Sequence, residues 1–172
     1  DVTNVYKRYP KLLAEELVGA VDILDPFAGY HSPGTVTNDL DLGAPTTHHL
    51  DALDFLLGIA DASMDVVLFD PPYSITQATQ LYGGRGKNQL GIHPSNMAYW
   101  ARVKDELRRT LRPGGKAICC GWSSMGLGKK RGMTLLRVLL VPHGGSKNDT
   151  IVTVECAGCT ATPQTEATHN EP

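Results

Sequence analysis

Four times in its first 73 residues the chain runs through a short strand-like segment and stops on an aspartate. Val21-Asp22-Ile23-Leu24 ends at Asp25-Pro26, Thr35-Val36-Thr37 at Asn38-Asp39, and His48-His49-Leu50 at Asp51. Val66-Val67-Leu68-Phe69, the clearest of the four, is cut off by Asp70-Pro71-Pro72-Tyr73. Proline lacks the amide hydrogen that a sheet interior needs, so an Asp-Pro step marks a strand end. Between these segments the spacing is helical. Leu12, Leu13, Leu17 and Val18 share a face within residues 5–19, and Ala52 to Ile59 reads as a second helix. Strands alternating with helices imply a mainly parallel sheet with helices on both faces. In such sheets ligands bind beyond the carboxyl ends of the strands. Carboxylates gathered there without basic partners are costly. The pattern therefore predicts a ligand rich in hydroxyls, amines or positive charge.

Residues 74–94 are polar and glycine-rich, and residues 96–111 predict an amphipathic helix capped by Asn96. Arg112-Pro113-Gly114-Gly115 reads as a turn, Lys116 to Gly121 as the next strand, and residues 121–132 as a second glycine-rich loop. Thr134 to Val141 and Thr150 to Val154 predict a closing antiparallel hairpin across residues 142–149. The expected architecture is α/β and Rossmann-like, a seven-stranded, mainly parallel sheet with a C-terminal antiparallel hairpin and helices on both faces. A length of 172 residues suits one domain. Residues 1–156 are expected to form it, with the Thr-rich residues 157–172 as a flexible tail. No apolar run approaches the ~20 residues that cross a bilayer, and no basic-apolar leader is visible.

Cys119 and Cys120 are neighbours on a strand and point to opposite faces, so they do not share a site. Cys156-x-x-Cys159 is half a zinc site without a second pair at suitable spacing. Reduced thiols in a cytoplasmic protein, with no metal, are the expectation. His48 and His49 diverge for the same reason as the first cysteine pair, and His143 reads as structural.

The net charge of −2 hides an asymmetry. Residues 1–82 carry three basic and twelve acidic side chains, a net −9; residues 83–137 carry twelve basic and two acidic, a net +10. A basic middle segment predicts contact with a polyanion. Arg85, Lys87 and the run Lys129-Lys130-Arg131 sit among glycines and are the candidates for contacting phosphates. The charges within residues 102–112 read equally well as a solvated helix face.

The turn after the first strand is not Gly-x-Gly-x-x-Gly, and residues 121–130 lack the closing Lys-Ser or Lys-Thr of a phosphate loop. Neither dinucleotide nor ATP chemistry is supported. Asp70-Pro71-Pro72-Tyr73 after an apolar strand instead resembles the catalytic motif of the amino-group DNA methyltransferases, which use S-adenosylmethionine. Asp25-Pro26-Phe27-Ala28-Gly29 resembles that family's cofactor loop, and Asp51 to Leu56 the segment after its third strand. The blocks Arg112-Pro113-Gly114-Gly115, Gly121-Trp122, Gly128 to Gly132, His143-Gly144-Gly145 and Asn148-Asp149-Thr150 are similar to small phage and bacterial adenine-type members. The resemblance spans roughly residues 20–156. One departure is His31, which stands where the family loop has a second glycine, followed by Ser32-Pro33-Gly34.

The resemblance implies transfer of a methyl group from S-adenosylmethionine to N6 of adenine in DNA, with no metal. Asp70 and the Pro71 carbonyl would accept the two amine hydrogens and turn the nitrogen lone pair toward the methyl donor. Pro71 and Pro72 fix the backbone, and Tyr73 would stack on a base taken out of the duplex. Asp39 would bind the cofactor ribose, Asp51 its adenine amino edge, and Asp25 and Gly29 its methionine end, within the loop that Pro26, Phe27 and Ala28 complete. Asp41 and Asp54 are the competing carboxylates. Trp122 reads equally as a base-stacking or a packing residue. Only residues 74–95 and 121–133 remain for target recognition, so specificity is expected to be short, relaxed or shared with a second copy or a specificity partner. The expected setting is the cytoplasm of a bacterial cell or phage-infected host, with no membrane partner. Open alternatives are N4 of cytosine, an RNA base, or a silent nucleic-acid-binding module with the same fold. A protein-amide methyltransferase is disfavoured, because its motif opens with Asn.

Overall fold

A computed structural model describes residues 5–72, 97–144 and 148–160. Six strands form one sheet in the order β2-β1-β3-β4-β6-β5. They are β1 (Ile23–Asp25), β2 (Val36–Thr37), β3 (Met64–Phe69), β4 (Leu111–Gly121), β5 (Met133–Val141) and β6 (Thr150–Ala157). β1 to β4 are mutually parallel, and the β5–β6 hairpin lies antiparallel against β4. Helices α1 (Pro10–Glu16), α2 (Ala52–Leu57) and α3 (Met97–Thr110) complete the layers. Strand order turns back between β1 and β3, which pair through Ile23↔Val66 and Leu24↔Val67. That reversal is a topological switch point, where open α/β sheets bind ligands.

Alternation along the central strands sorts the core into two layers. Leu24, Val67, Phe69, Ala117 and Cys119 pack with α2 and α3; Ile23, Val66, Leu68, Ile118 and Cys120 pack with Leu12 and Leu13 of α1. α3 buries Tyr99, Val103, Leu107 and Thr110, a spacing that keeps one face of the helix on the sheet. α2 starts where Asp51 accepts a hydrogen bond from Leu53 N at 2.9 Å. Among the described residues no helix is long and apolar enough to cross a membrane.

Several expectations are corrected. The sheet has six strands among the described residues, not seven, because His48-His49-Leu50 contributes a single parallel bridge, Asn38↔His48. Side chains replace the ladder there: Thr47 Oγ1 donates to Thr37 O at 2.6 Å, and Leu50 N donates to Asn38 Oδ1 at 2.9 Å. Next, Arg112-Pro113-Gly114-Gly115 is no turn before a strand but an excursion inside β4. Three residues of β3, Met64 to Val66, lie opposite six of β4, Leu111 to Lys116. Arg112 closes it by pairing with Asp22 at 2.7 Å and with Asp65. Finally, Cys156 and Cys159 are joined as a disulfide, not held as free thiols, with Cα atoms 5.6 Å apart at the end of β6. The helix expected over residues 5–19 divides into a 3₁₀ turn, Val5–Arg8, and α1, because Pro10 starts a new helix. His143 is structural: its Nε2 lies 2.7 Å from Thr150 Oγ1.

The excursion in β4 has no room for a side chain at Gly115. A Cβ there would lie 2.9 Å from Arg112 O and 3.1 Å from Asp65 O, both backbone atoms. Gly115→Ala should destabilise the fold by about 1–3 kcal/mol, as overpacking does. A urea midpoint equal to that of the parent chain would contradict this packing.

Candidate active site

Asp25 and Asp70 leave the carboxyl ends of the two strands that flank the switch point. Asp25 is fully buried and its carboxylate has three donors. Tyr6 Oη donates to Oδ2 at 2.8 Å, Ser32 Oγ to Oδ2 at 2.5 Å, and Phe27 N to Oδ1 at 3.0 Å. Burial pushes its pKa up to about 6 against the pull of these bonds, and the nearby Asp39 charge adds to the rise. The donors carry the loop with them. Ser32 Oγ also accepts from Gly34 N at 2.9 Å, and a Cβ on Gly34 would meet Asp25, Ser32 and Thr37, each at 3.1 Å. The glycine that this loop needs is thus Gly34; the position of His31 is exposed.

The other candidates of the loop divide by role. Pro26 and Ala28 are buried: Pro26 O accepts from Asn38 Nδ2 at 3.2 Å, and Ala28 N donates to Asn38 O at 3.0 Å. They offer framework rather than side-chain contact. Phe27 packs against Phe69 and Trp100 with ring centroids 5.9 Å away in each case. Gly29 has φ +55 and nothing within 4 Å of a Cβ position, so its backbone borders open space. Asp39 accepts from Gly29 N at 2.9 Å and Asp41 N at 2.8 Å, and burial raises its pKa. Asp41 instead takes Tyr30 Oη at 2.8 Å. Asp51, besides capping α2, accepts Tyr99 Oη at 3.1 Å on each oxygen. Asp54 is exposed. Asp25 ends β1, and Asp39 and Asp51 follow β2 and the His48 bridge, so three carboxylates line one edge of the sheet.

Beyond Phe69, Asp70 is half-buried; burial raises the pKa values of Tyr6, Tyr9 and Cys120, and the charges of Asp25 and Asp70 add to the rise. Pro71 and Pro72 open onto a cavity of about 380 Å³, lined also by Trp100, Lys104, Cys119 and Trp122. That volume lies within the range of small-molecule sites. Burial holds the Cys119 thiol up at about 12, and raises that of Cys120 as well, so both stay protonated and supply no nucleophile. Trp100 lies against Phe69 and Tyr99, with centroids 6.4 and 5.1 Å apart, and Trp122 is half exposed at the end of β4. Sequence reasoning missed Tyr6, Ser32, Trp100 and Lys104. The only signal for Trp100 was its place in an amphipathic helix, which marks packing as readily as a site.

Tyr73, Arg85 and Lys87 lie outside the described residues. Lys129 and Lys130 are exposed on a 3₁₀ turn, Lys129–Arg131, between β4 and β5. Arg131 differs from its two lysine neighbours in being held by the protein itself. Its guanidinium donates to Asp105 Oδ1 at 2.7 Å, Leu127 O at 2.8 Å and Ala101 O at 3.1 Å, which fastens the turn to α3. Part of the charge asymmetry is spent inside the fold. Five of the ten described basic residues in the middle segment form ion pairs, four of them with acids of residues 1–82. These are Arg109 to Asp61, Arg112 to Asp22 and Asp65, Lys116 to Glu16, and Arg137 to Glu15 and Glu16; Arg131 to Asp105 is the fifth.

The sequence matches no protein-family model and no curated protein. Solved structures share its fold. 1,6-Didemethyltoxoflavin-N1-methyltransferase from Burkholderia thailandensis, bound to 1,6-didemethyltoxoflavin and S-adenosylhomocysteine, superposes with a TM-score of 0.59 at 13% identity, over 91% of this chain and 79% of that one. The N-methyltransferase NodS from Bradyrhizobium japonicum, in complex with S-adenosylhomocysteine, gives 0.52 at 11% identity, over 90% and 89%. The [4+2]-cyclase SpnF gives 0.54 at 12% identity, over 91% and 85%. The fold is the Rossmann-like fold of class I methyltransferases. A cyclase on the same fold shows why the activity has to be argued from the site.

The buried carboxylate gives a pH test. The folded chain keeps a proton on Asp25 up to about pH 6, whereas an unfolded chain releases it near pH 4. Ionisation of Asp25 therefore lowers stability as pH rises through that window, by about 3 kcal/mol in all. Urea unfolding between pH 4 and 7 should show this loss in the parent chain and not in Asp25→Asn. Parallel stability–pH curves for the two proteins would contradict it.

Proposed function

We propose that the chain is an S-adenosylmethionine-dependent methyltransferase acting on the N6 amine of adenine in DNA. The observation that carries the reading is one adjacency. The Asp70-Pro71-Pro72 segment at the end of β3 stands beside the Asp25–Gly29 turn at the end of β1 and opens onto a tryptophan-lined cavity. The sequence resemblance supplies the reaction class for that arrangement.

The residues present fit the cofactor. Gly29 leaves room for a ligand against its backbone. Asp39 and Asp51 each retain acceptor capacity beyond the two donors they hold, since an ionised carboxylate has about four acceptor sites. They would take the ribose hydroxyls and the adenine amine. Asp25 is a carboxylate whose ionisation is costly in place, and a cationic amino-acid end beside it offsets that cost. When bound, S-adenosylmethionine supplies a methyl group activated by a sulfonium.

The chain's own work is to hold and aim the acceptor. Asp70 and the Pro71 carbonyl accept the two amine hydrogens, which draws the nitrogen out of conjugation with its ring. With the cofactor held by Asp39, Asp51 and the Asp25–Gly29 turn, that nitrogen would take the methyl group that the sulfonium gives up. The surplus proton on nitrogen passes to the Asp70 carboxylate or to water. Trp100, Trp122 and Pro72 border the space for the base ring, whose removal from a duplex costs a few kcal/mol. Lys129 and Lys130 contact the backbone phosphates, and a second copy or a specificity subunit extends recognition beyond this short chain.

A second reading keeps the chemistry and replaces DNA by a small amine-bearing heterocycle. The internal pairing of the basic residues favours it, because that pairing removes much of the charge a polyanion would meet.

Asp70→Ala should abolish methyl transfer, read by mass spectrometry of digested nucleosides, while the unfolding midpoint and cofactor affinity stay near those of the parent chain. Retained transfer, or loss of cofactor binding, would overturn the role given to Asp70. Replacing Lys129 and Lys130 by Ala should weaken DNA binding and reduce the slope of log K against log salt by about 1–2. An unchanged slope removes that turn from the interface and leaves the small-molecule reading.

A further inference from the structure

Among the described residues that line the cavity at Pro71 and Pro72, Lys104 is the one with a charged side chain. It lies one helical turn beyond Trp100 on α3, so both side chains share the face that borders the cavity. Its Nζ donates to Gly126 O at 2.6 Å and sits 5.8 Å from the centroid of the Phe69 ring. The acceptor is held in place from behind. Leu127 N and Gly128 N donate to the buried Glu155 carboxylate at 2.6 and 3.0 Å, and Gly126 itself lies against that carboxylate with no room for a Cβ. Among the described residues Gly126 O is the one hydrogen-bond acceptor of the ammonium. An ammonium has three N–H donors. A half-buried cation with donors to spare is stabilised by a further acceptor, and burial lowers the Lys104 pKa accordingly.

We propose that Lys104 donates a hydrogen bond to an acceptor atom on the ring that enters this cavity, and so determines which amino-heterocycle presents its amine to Asp70. The proposal rests on the methyltransferase reading above and adds the recognition of the acceptor ring. A phosphate is the poorer match. Phe69, Cys119 and Gly126 of its lining are buried, and a single ammonium beside them would leave a dianion under-neutralised. A flat neutral ring with an acceptor beside its amine suits one donor and aromatic walls. Adenine has two such atoms, N1 and N7, flanking the N6 amine.

The test uses the intact chain and its own fluorescence, because both of its tryptophans, Trp100 and Trp122, line the cavity. Single-stranded oligothymidylate carrying one adenine is titrated against the same strand carrying 7-deazaadenine or 1-deazaadenine. One of the two deaza strands should bind about tenfold more weakly, the effect of losing a hydrogen bond to a charged group. That discrimination should vanish in Lys104→Met and persist in Lys104→Arg. A lysine that only fastens Gly126 would shift all three affinities together. Equal binding of the three strands to the parent chain overturns the proposal whether or not Lys104→Met folds; so does discrimination that survives in Lys104→Met, or the absence of binding by any strand. Methyl transfer to unmodified adenine, assayed alongside, reports separately on the parent reading.

Discussion

A fully buried carboxylate at the end of a central strand sets the geometry on which the rest of the site depends. Removing Asp25 from water costs several kcal/mol, and the structure offsets that cost with three donors rather than a cation. Each donor is attached to something the site needs. Tyr6 brings the N-terminal 3₁₀ turn over the sheet edge, Ser32 folds the loop back toward Gly34, and Phe27 N fixes the turn that exposes Gly29. Phe27 then meets Phe69 and Trp100, so the turn after β1 and the cavity after β3 share one aromatic contact. A change at Asp25 would be felt on both sides of the switch point.

Electrostatics at larger scale reads differently in three dimensions than along the chain. The acidic first part and the basic middle segment meet in the folded chain, where four basic residues of the one pair with acids of the other. Arg112 ties β4 to Asp22 before β1 and to Asp65 in β3; Lys116 and Arg137 converge on Glu16 of α1. Surface pairs of this kind contribute little individually to stability. Their larger consequence is functional, since they consume the charge that a linear count assigns to nucleic acid. The features that favour DNA are therefore the motif at Asp70 and the exposed Lys129 and Lys130, not net charge.

Much of the fold was legible because its signals are local. β-Branched runs stopped by Asp-Pro located β1 and β3, and the spacing of Tyr99, Val103 and Leu107 matched the amphipathic helix expected there. What was missed depended on partners distant in sequence. Arg-Pro-Gly-Gly is a turn by composition, yet Met64 pairs with Leu111 and draws it into β4. His48-His49-Leu50 alternates as a strand, yet the side chains of Thr47 and Asn38 take over its hydrogen bonds. The carboxylates Asp25, Asp39 and Asp51 were identifiable by their position after strands. Tyr6 was not, because its role lies in a bond to a residue 19 positions away. Arg131 looked like its lysine neighbours until its three acceptors were located.

The central claim is that the edge formed by Asp25, Gly29, Asp39 and Asp51 is a site for S-adenosylmethionine. Isothermal titration calorimetry of the purified chain with S-adenosylmethionine, and separately with S-adenosylhomocysteine, addresses it most directly. The account predicts saturable binding of both compounds near one per chain, lost on replacement of Asp39 by Ala. A folded chain that releases no heat with either compound, and whose unfolding midpoint neither compound shifts, would contradict it.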